Sequence, residues 1–178
     1  MLFRSFSLII LVQRTFAVET SDGALDTLRV AGVDPAGIYL GKSMALAAQL
    51  AVLEALLLLG VIVFYASNVR PAGYVLTVVT ALLATAGLAF VGTLYGGLAA
   101  GAKGRETLLP LLLLPVVAPV LIGATRAFEA AFGTREGVGI RSGVEIADGW
   151  PWVGMLAIFA AVFGTAGVLA FGPLLEEA

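Results

Sequence analysis

The chain has 178 residues, 60% of them hydrophobic and 12% charged, with a mean hydropathy of +1.04 and a formal net charge of -2. That is more apolar surface than a water-soluble domain of this size needs, so the chain reads as an integral membrane protein. The absence of a basic stripe excludes a nucleic-acid binder. Cysteine and histidine both number 0, which removes disulfides, thiolate metal sites, the usual general base and the commonest metal and haem ligand.

In chain order, the first apolar stretch lies between Arg4 and Arg14. It is about half the length of a membrane span. Three readings fit it: a signal-peptide core without a clean cleavage site, an interfacial helix, or half of a span over residues 5–17. A polar stretch from Gln13 to Lys42 follows, carrying Arg14, Glu19, Asp22, Asp26, Arg29, Asp34 and Lys42. Within it a short amphipathic helix is expected over 20–32. Thr20 or Ser21 caps it, Asp22 sits at its positive end, Leu25 and Leu28 share a face, and Gly32 ends it. Asp34-Pro35 then reads as an N-cap followed by proline at the first helical position.

Crossing a hydrocarbon core of about 30 Å takes roughly 20 apolar residues of helix. Ser43 to Asn68 carries one charge, Glu54; Pro71 to Ala102, Thr107 to Thr125 and Gly149 to Leu175 carry none. These runs predict transmembrane helices over 36–68, 71–101, 107–131 and 150–175. The fold class expected is an all-α integral membrane bundle of four full spans plus an N-terminal partial span, forming one domain over 1–178. The short Lys103/Arg105 loop is the best orientation anchor, so it and the amphipathic helix are placed in the cytoplasm. The loop from Phe128 to Trp152 then faces outward, with Trp150 and Trp152 at the interface.

Candidate functional residues are few. Glu54 is the ionisable residue deep in a span, where charge is costly. It serves either a transport path or subunit interface, or a structural hydrogen bond. A proton relay is disfavoured, because no second intramembrane carboxylate accompanies it. Gly87 and the two G-x-x-x-G pairs, Gly92/Gly96 and Gly97/Gly101, allow close helix approach; the contact is within the chain or, alternatively, with a second copy. Pro110, Pro115 and Pro119 invite kinks in one span, as a hinge or as a fixed bend. Arg126 and Glu129 read as a surface pair. Met44, Met155 and the tyrosines could touch haem iron, although packing explains them better. No P-loop pattern is present, so any ATP must be bound by another chain.

The run Gln13 to Leu28 reads R-x-F-x-x-E-x-x-D-G-A-L-D-x-L from Arg14, and Val33 to Lys42 reads V-D-x-x-x-I-Y-L-G-K. Together they resemble the CcmB family, the permease subunit of the haem-exporting ABC transporter of cytochrome c maturation. Glu54 falls where that family often carries a glutamate. Gly87 to Leu94 resembles its glycine-rich helix, and Leu108 to Pro119 its proline-bearing helix. The resemblance covers about residues 8 to 175.

It implies an ABC-2-like permease of the cell inner membrane. The cytoplasmic segment, with Glu19, Asp22, Gly23, Leu25, Asp26 and Leu28, would couple it to an ATPase subunit. A second permease copy and other cytochrome c maturation membrane proteins are implied partners. Haem would be transported or handled rather than held as a cofactor, no metal would be bound, and ATP would sit in the partner. Family members are longer, with six spans, so Phe6 to Phe16 would be the cytoplasmic half of the second. A permease for another substrate and a non-transporting membrane fragment are the alternative readings.

Overall fold

A computed structural model describes residues 34–65, 73–100, 105–132 and 145–177 of the chain. Four long helices make up almost all of them: α1 (Pro35–Tyr65), α2 (Gly73–Ala100), α3 (Arg105–Phe132) and α4 (Trp150–Glu177), with a 3-10 turn at Ile146–Gly149 before α4. No strand occurs among the described residues. The expected partial span over 5–17 and amphipathic helix over 20–32 lie outside them, as do Glu19, Asp22, Gly23, Leu25, Asp26, Leu28 and Gly101.

The helices start where local chemistry dictates. Pro35 takes the first position of α1, where a missing N–H costs nothing, and the Asp34 carbonyl accepts the Ile38 N–H at 3.1 Å. At the other face of the bundle, the Glu145 N–H donates to Asp148 Oδ2 at 3.0 Å, and the Asp148 N–H donates back to the Glu145 carbonyl at 3.1 Å. That reciprocal pair satisfies donors otherwise orphaned at a helix start. Each helix contains an apolar segment long enough to cross a bilayer: Pro35–Gly60, Gly73–Leu98, Leu111–Phe132 and Ile146–Pro173. A helix of 28 residues extends roughly 42 Å at 1.5 Å per residue, more than the core thickness.

α2 is the centre of the bundle. Of its apolar segment 56% is buried, against 22% to 33% for the other three. It packs against α1, α3 and α4, whereas no Cα of α1 comes within 8 Å of α3 among the described residues. Lipid is as apolar as leucine, so burial alone does not drive helices together in a membrane; close packing and hydrogen bonds do. The sequence of α2 supplies small residues for that purpose. Ala84 and Ala89 are almost fully enclosed beside Leu88 and Val91. Val117 and Val120 of α3 and Leu156 of α4 complete this central cluster with Leu46 and Leu50 of α1.

The proline-bearing helix is continuous from Arg105 to Phe132. Pro115 and Pro119 lie four residues apart on its exposed side, with Leu111 and Ile122, away from α2. Pro110 falls in the second turn of the same helix. Neither Pro115 nor Pro119 can donate to the carbonyl four residues back, so the backbone bonds lost are on the outer face.

Candidate functional site

The buried polar side chains single out one seam. Among the described residues they are Lys42, Ser43 and Glu54 on α1, and Thr77, Thr80, Thr85 and Thr93 on α2. None lies on α3 or α4. On α1 they follow the helical period: Tyr39, Lys42 and Ser43, Leu46, Leu50 and Glu54 are all buried and succeed one another every three or four residues, which places them on one face. Lys42, grouped by sequence with the cytoplasmic polar stretch, is thus enclosed in the second turn of α1 at 8% exposure. A long alkyl stem suits such a position near a helix end.

Glu54 is 6% exposed. The Thr85 hydroxyl of α2 donates to its Oε2 at 2.5 Å, a short charge-assisted or carboxyl–hydroxyl hydrogen bond. Glu54 also borders an open groove of about 650 Å³ between α1 and α2. Alanines 47, 48, 51 and 55 of α1 and 81 and 86 of α2 keep the groove wide, and Glu54, Thr77 and Thr85 are its polar residues. Thr77 turns its hydroxyl back to its own helix, donating to the Gly73 carbonyl at 2.9 Å. The groove therefore offers apolar walls and one carboxyl–hydroxyl pair. No histidine, cysteine or methionine lines it.

At the end of the seam where α1 begins, Tyr39 is fully buried. Its hydroxyl lies 3.1 Å from the Phe90 carbonyl of α2 and 3.0 Å from the Phe163 carbonyl of α4. Its ring stacks on Phe90 with centroids 6.2 Å apart and tilts against Phe171 at 5.4 Å. The ring passes directly over Gly167, where a Cβ would collide with Cζ, Oη and Cε2. The tyrosine hydroxyl thus meets a backbone carbonyl on each of two neighbouring helices.

The remaining candidates are dispersed. Gly87 and Gly97 of α2 face α4: a Cβ would stand 3.2 Å from Phe159 Cδ1 and 2.9 Å from Phe171 Cε2 respectively. Gly92 and Gly96 are buried on the same helix. Met44 is 71% exposed, while the Met155 methyl fills the space over Gly123 of α3. Arg126 and Glu129 form an exposed pair at 3.0 Å on one helix turn, worth little to stability. No group of three or more His, Cys, Asp or Glu side chains able to hold a metal occurs among the described residues. Sequence reading missed Tyr39, Thr85 and Gly167 as a set. Their partners lie on other helices, and an apolar helix with tyrosine near its end carries no signal for which carbonyl that tyrosine will meet.

A family model described as CcmB protein matches residues 3–162. No curated protein and no solved structure matches the chain.

Proposed function

The chain belongs to the CcmB family, the permease family of haem-exporting ABC transporters in cytochrome c maturation, and from that premise we propose that it converts ATP hydrolysis in a separate ATPase subunit into movement of its membrane helices. The observation that carries this reading is the extent of the family match. It takes in the polar segment before α1, then α1, α2 and α3 complete. The polar segment docks on the ATPase at the cytoplasmic face through Leu25 and Leu28, with Glu19, Asp22, Gly23 and Asp26 around them. Asp34-Pro35 joins it stiffly to α1, so displacement of the segment enters the bundle at the first turn of α1.

Haem is handled in passing rather than bound as a resident cofactor. The chain has no histidine or cysteine, so a partner holds the iron. A second permease copy, other cytochrome c maturation membrane proteins and the lipid of the cell inner membrane complete the assembly. Inside the bundle, Glu54 acts as a hydrogen-bonding group that ties α1 to α2 through Thr85; two apolar faces in lipid would hold each other less specifically.

Co-purification tests the docking step. Leu25→Asp and Leu28→Asp are expected to reduce recovery of the ATPase with the permease while membrane insertion stays intact. Recovery equal to that of the unaltered chain contradicts the docking surface.

A further inference from the structure

We propose that Tyr39 is the positioning residue that carries displacement of the first turn of α1 into α2 and α4 together. This rests on the reading that motion enters at the start of α1. Three observations combine. Tyr39 lies one turn into α1, beyond Asp34 and Pro35. Its single hydroxyl proton lies between carbonyls of two other helices, at 3.1 Å and 3.0 Å. Its ring occupies a notch that exists only because residue 167 has no side chain.

The notch and the hydrogen bond have one cause. In an α-helix the carbonyl of residue 163 points toward residue 167, one turn on. A Cβ at 167 would stand in front of that carbonyl and exclude the phenol. With glycine there, the ring passes close to the α4 backbone and the hydroxyl reaches the Phe163 carbonyl. Phe90 and Phe171 close the ring in from α2 and α4. The side chain is therefore gripped by backbone, which cannot yield by changing rotamer. A shift of α1 at this level moves the adjoining turns of α2 and α4 with it. α3 has no such link: among the described residues no Cα of α1 lies within 8 Å of a Cα of α3.

The absence of native cysteine makes the test direct. Spin labels are placed at Asp34 on one side, and at Leu98, Leu169 or Leu111 on the other, the three leucines being exposed on α2, α4 and α3. Distances are measured by pulsed EPR in the complete transporter, in lipid, with and without a non-hydrolysable ATP analogue. In the otherwise unaltered chain the analogue is expected to change the 34–111 distance while 34–98 and 34–169 hold. In Tyr39→Ala the 34–98 and 34–169 distances are expected to change as well. Should Tyr39→Ala fail to accumulate, Gly167→Ala serves, because its methyl group displaces the same ring from the other side.

If 34–98 and 34–169 hold in both variants as they do in the parent, Tyr39 transmits nothing and the proposal is overturned, while entry of motion at α1 stands. If the analogue leaves 34–111 unchanged in the parent chain, motion does not enter at α1, and both statements fall. Tyr39→Phe keeps the ring in the notch and removes only the shared proton. It is expected to retain most of the coupling, which a purely hydroxyl-based link would lose.

Discussion

The two sides of α2 are held in different ways. Toward α4 it is notched: Gly87 receives Phe159 and Gly97 receives Phe171, and α3 in turn presents Gly123 to Met155 and Leu156 of α4. Toward α1 it is tied at two polar points, Tyr39 to the Phe90 carbonyl at one end and Glu54 to Thr85 nearer the other, with an open groove flanking the second. In lipid both arrangements replace the hydrophobic drive that water would supply. They differ in what a displacement costs. Interlocked side chains resist sliding along their whole length, whereas two hydrogen-bonded points fix α1 in register beside an open groove. A helix that takes in motion from outside the bundle suits the second arrangement, and the interlocked pair α2 and α4, which Tyr39 engages together, suits the first.

The largest effect is expected of an oversized side chain at a close contact between helices. Gly123→Leu places a branched side chain against Met155 and Leu156 and is expected to destabilise the bundle by about 1–3 kcal/mol, read as a shift in reversible unfolding in bicelles. A smaller loss is expected at the polar tie. A double-mutant cycle of Glu54→Leu and Thr85→Val should return a coupling of about 0.6 kcal/mol, the average for hydrogen bonds between membrane helices, and at most about 1.7 kcal/mol. A coupling of zero would remove Glu54–Thr85 as a tie. Glu54→Gln is expected to be tolerated better than Glu54→Leu, because the amide oxygen can still accept from Thr85; equal effects on assembly would argue against a hydrogen-bonding role. The smallest change is expected at Thr80, whose fully buried hydroxyl has no hydrogen-bond partner among the described residues. Thr80→Val should be neutral or slightly stabilising, since it deletes an unsatisfied polar group of similar shape. A loss above about 1 kcal/mol would mean that the hydroxyl has a partner.

Much of the architecture is legible in the sequence. Charges are so sparse that the uncharged runs mark the four spans, and Asp34-Pro35 marks the start of α1 to the residue. The D-G-A-L run and the proline-bearing helix carry the family resemblance that the family match then reports. The pairing of helix faces is not legible. Tyr39 meets a carbonyl 124 residues away and Glu54 a hydroxyl 31 residues away. In helices that are apolar all round, no periodic polar face declares which side looks inward. The buried position of Lys42 escapes sequence reading for a related reason: a lysine two turns from a polar segment looks like part of that segment until the helix to which it belongs is packed. Gly167 is one glycine among 22, and only the ring of Tyr39 distinguishes it.

Vesicle export tests the central claim most directly. The permease, its ATPase subunit and the membrane partner that holds the haem iron are reconstituted together in lipid vesicles, and haem appearing on the far side is followed with ATP, without ATP, and with Leu25→Asp/Leu28→Asp in the permease. Haem release that needs ATP, the permease and the ATPase, and that falls in the double variant, is the expected result. Release at one rate with and without ATP, or in vesicles lacking this chain, would contradict an ATP-coupled haem permease.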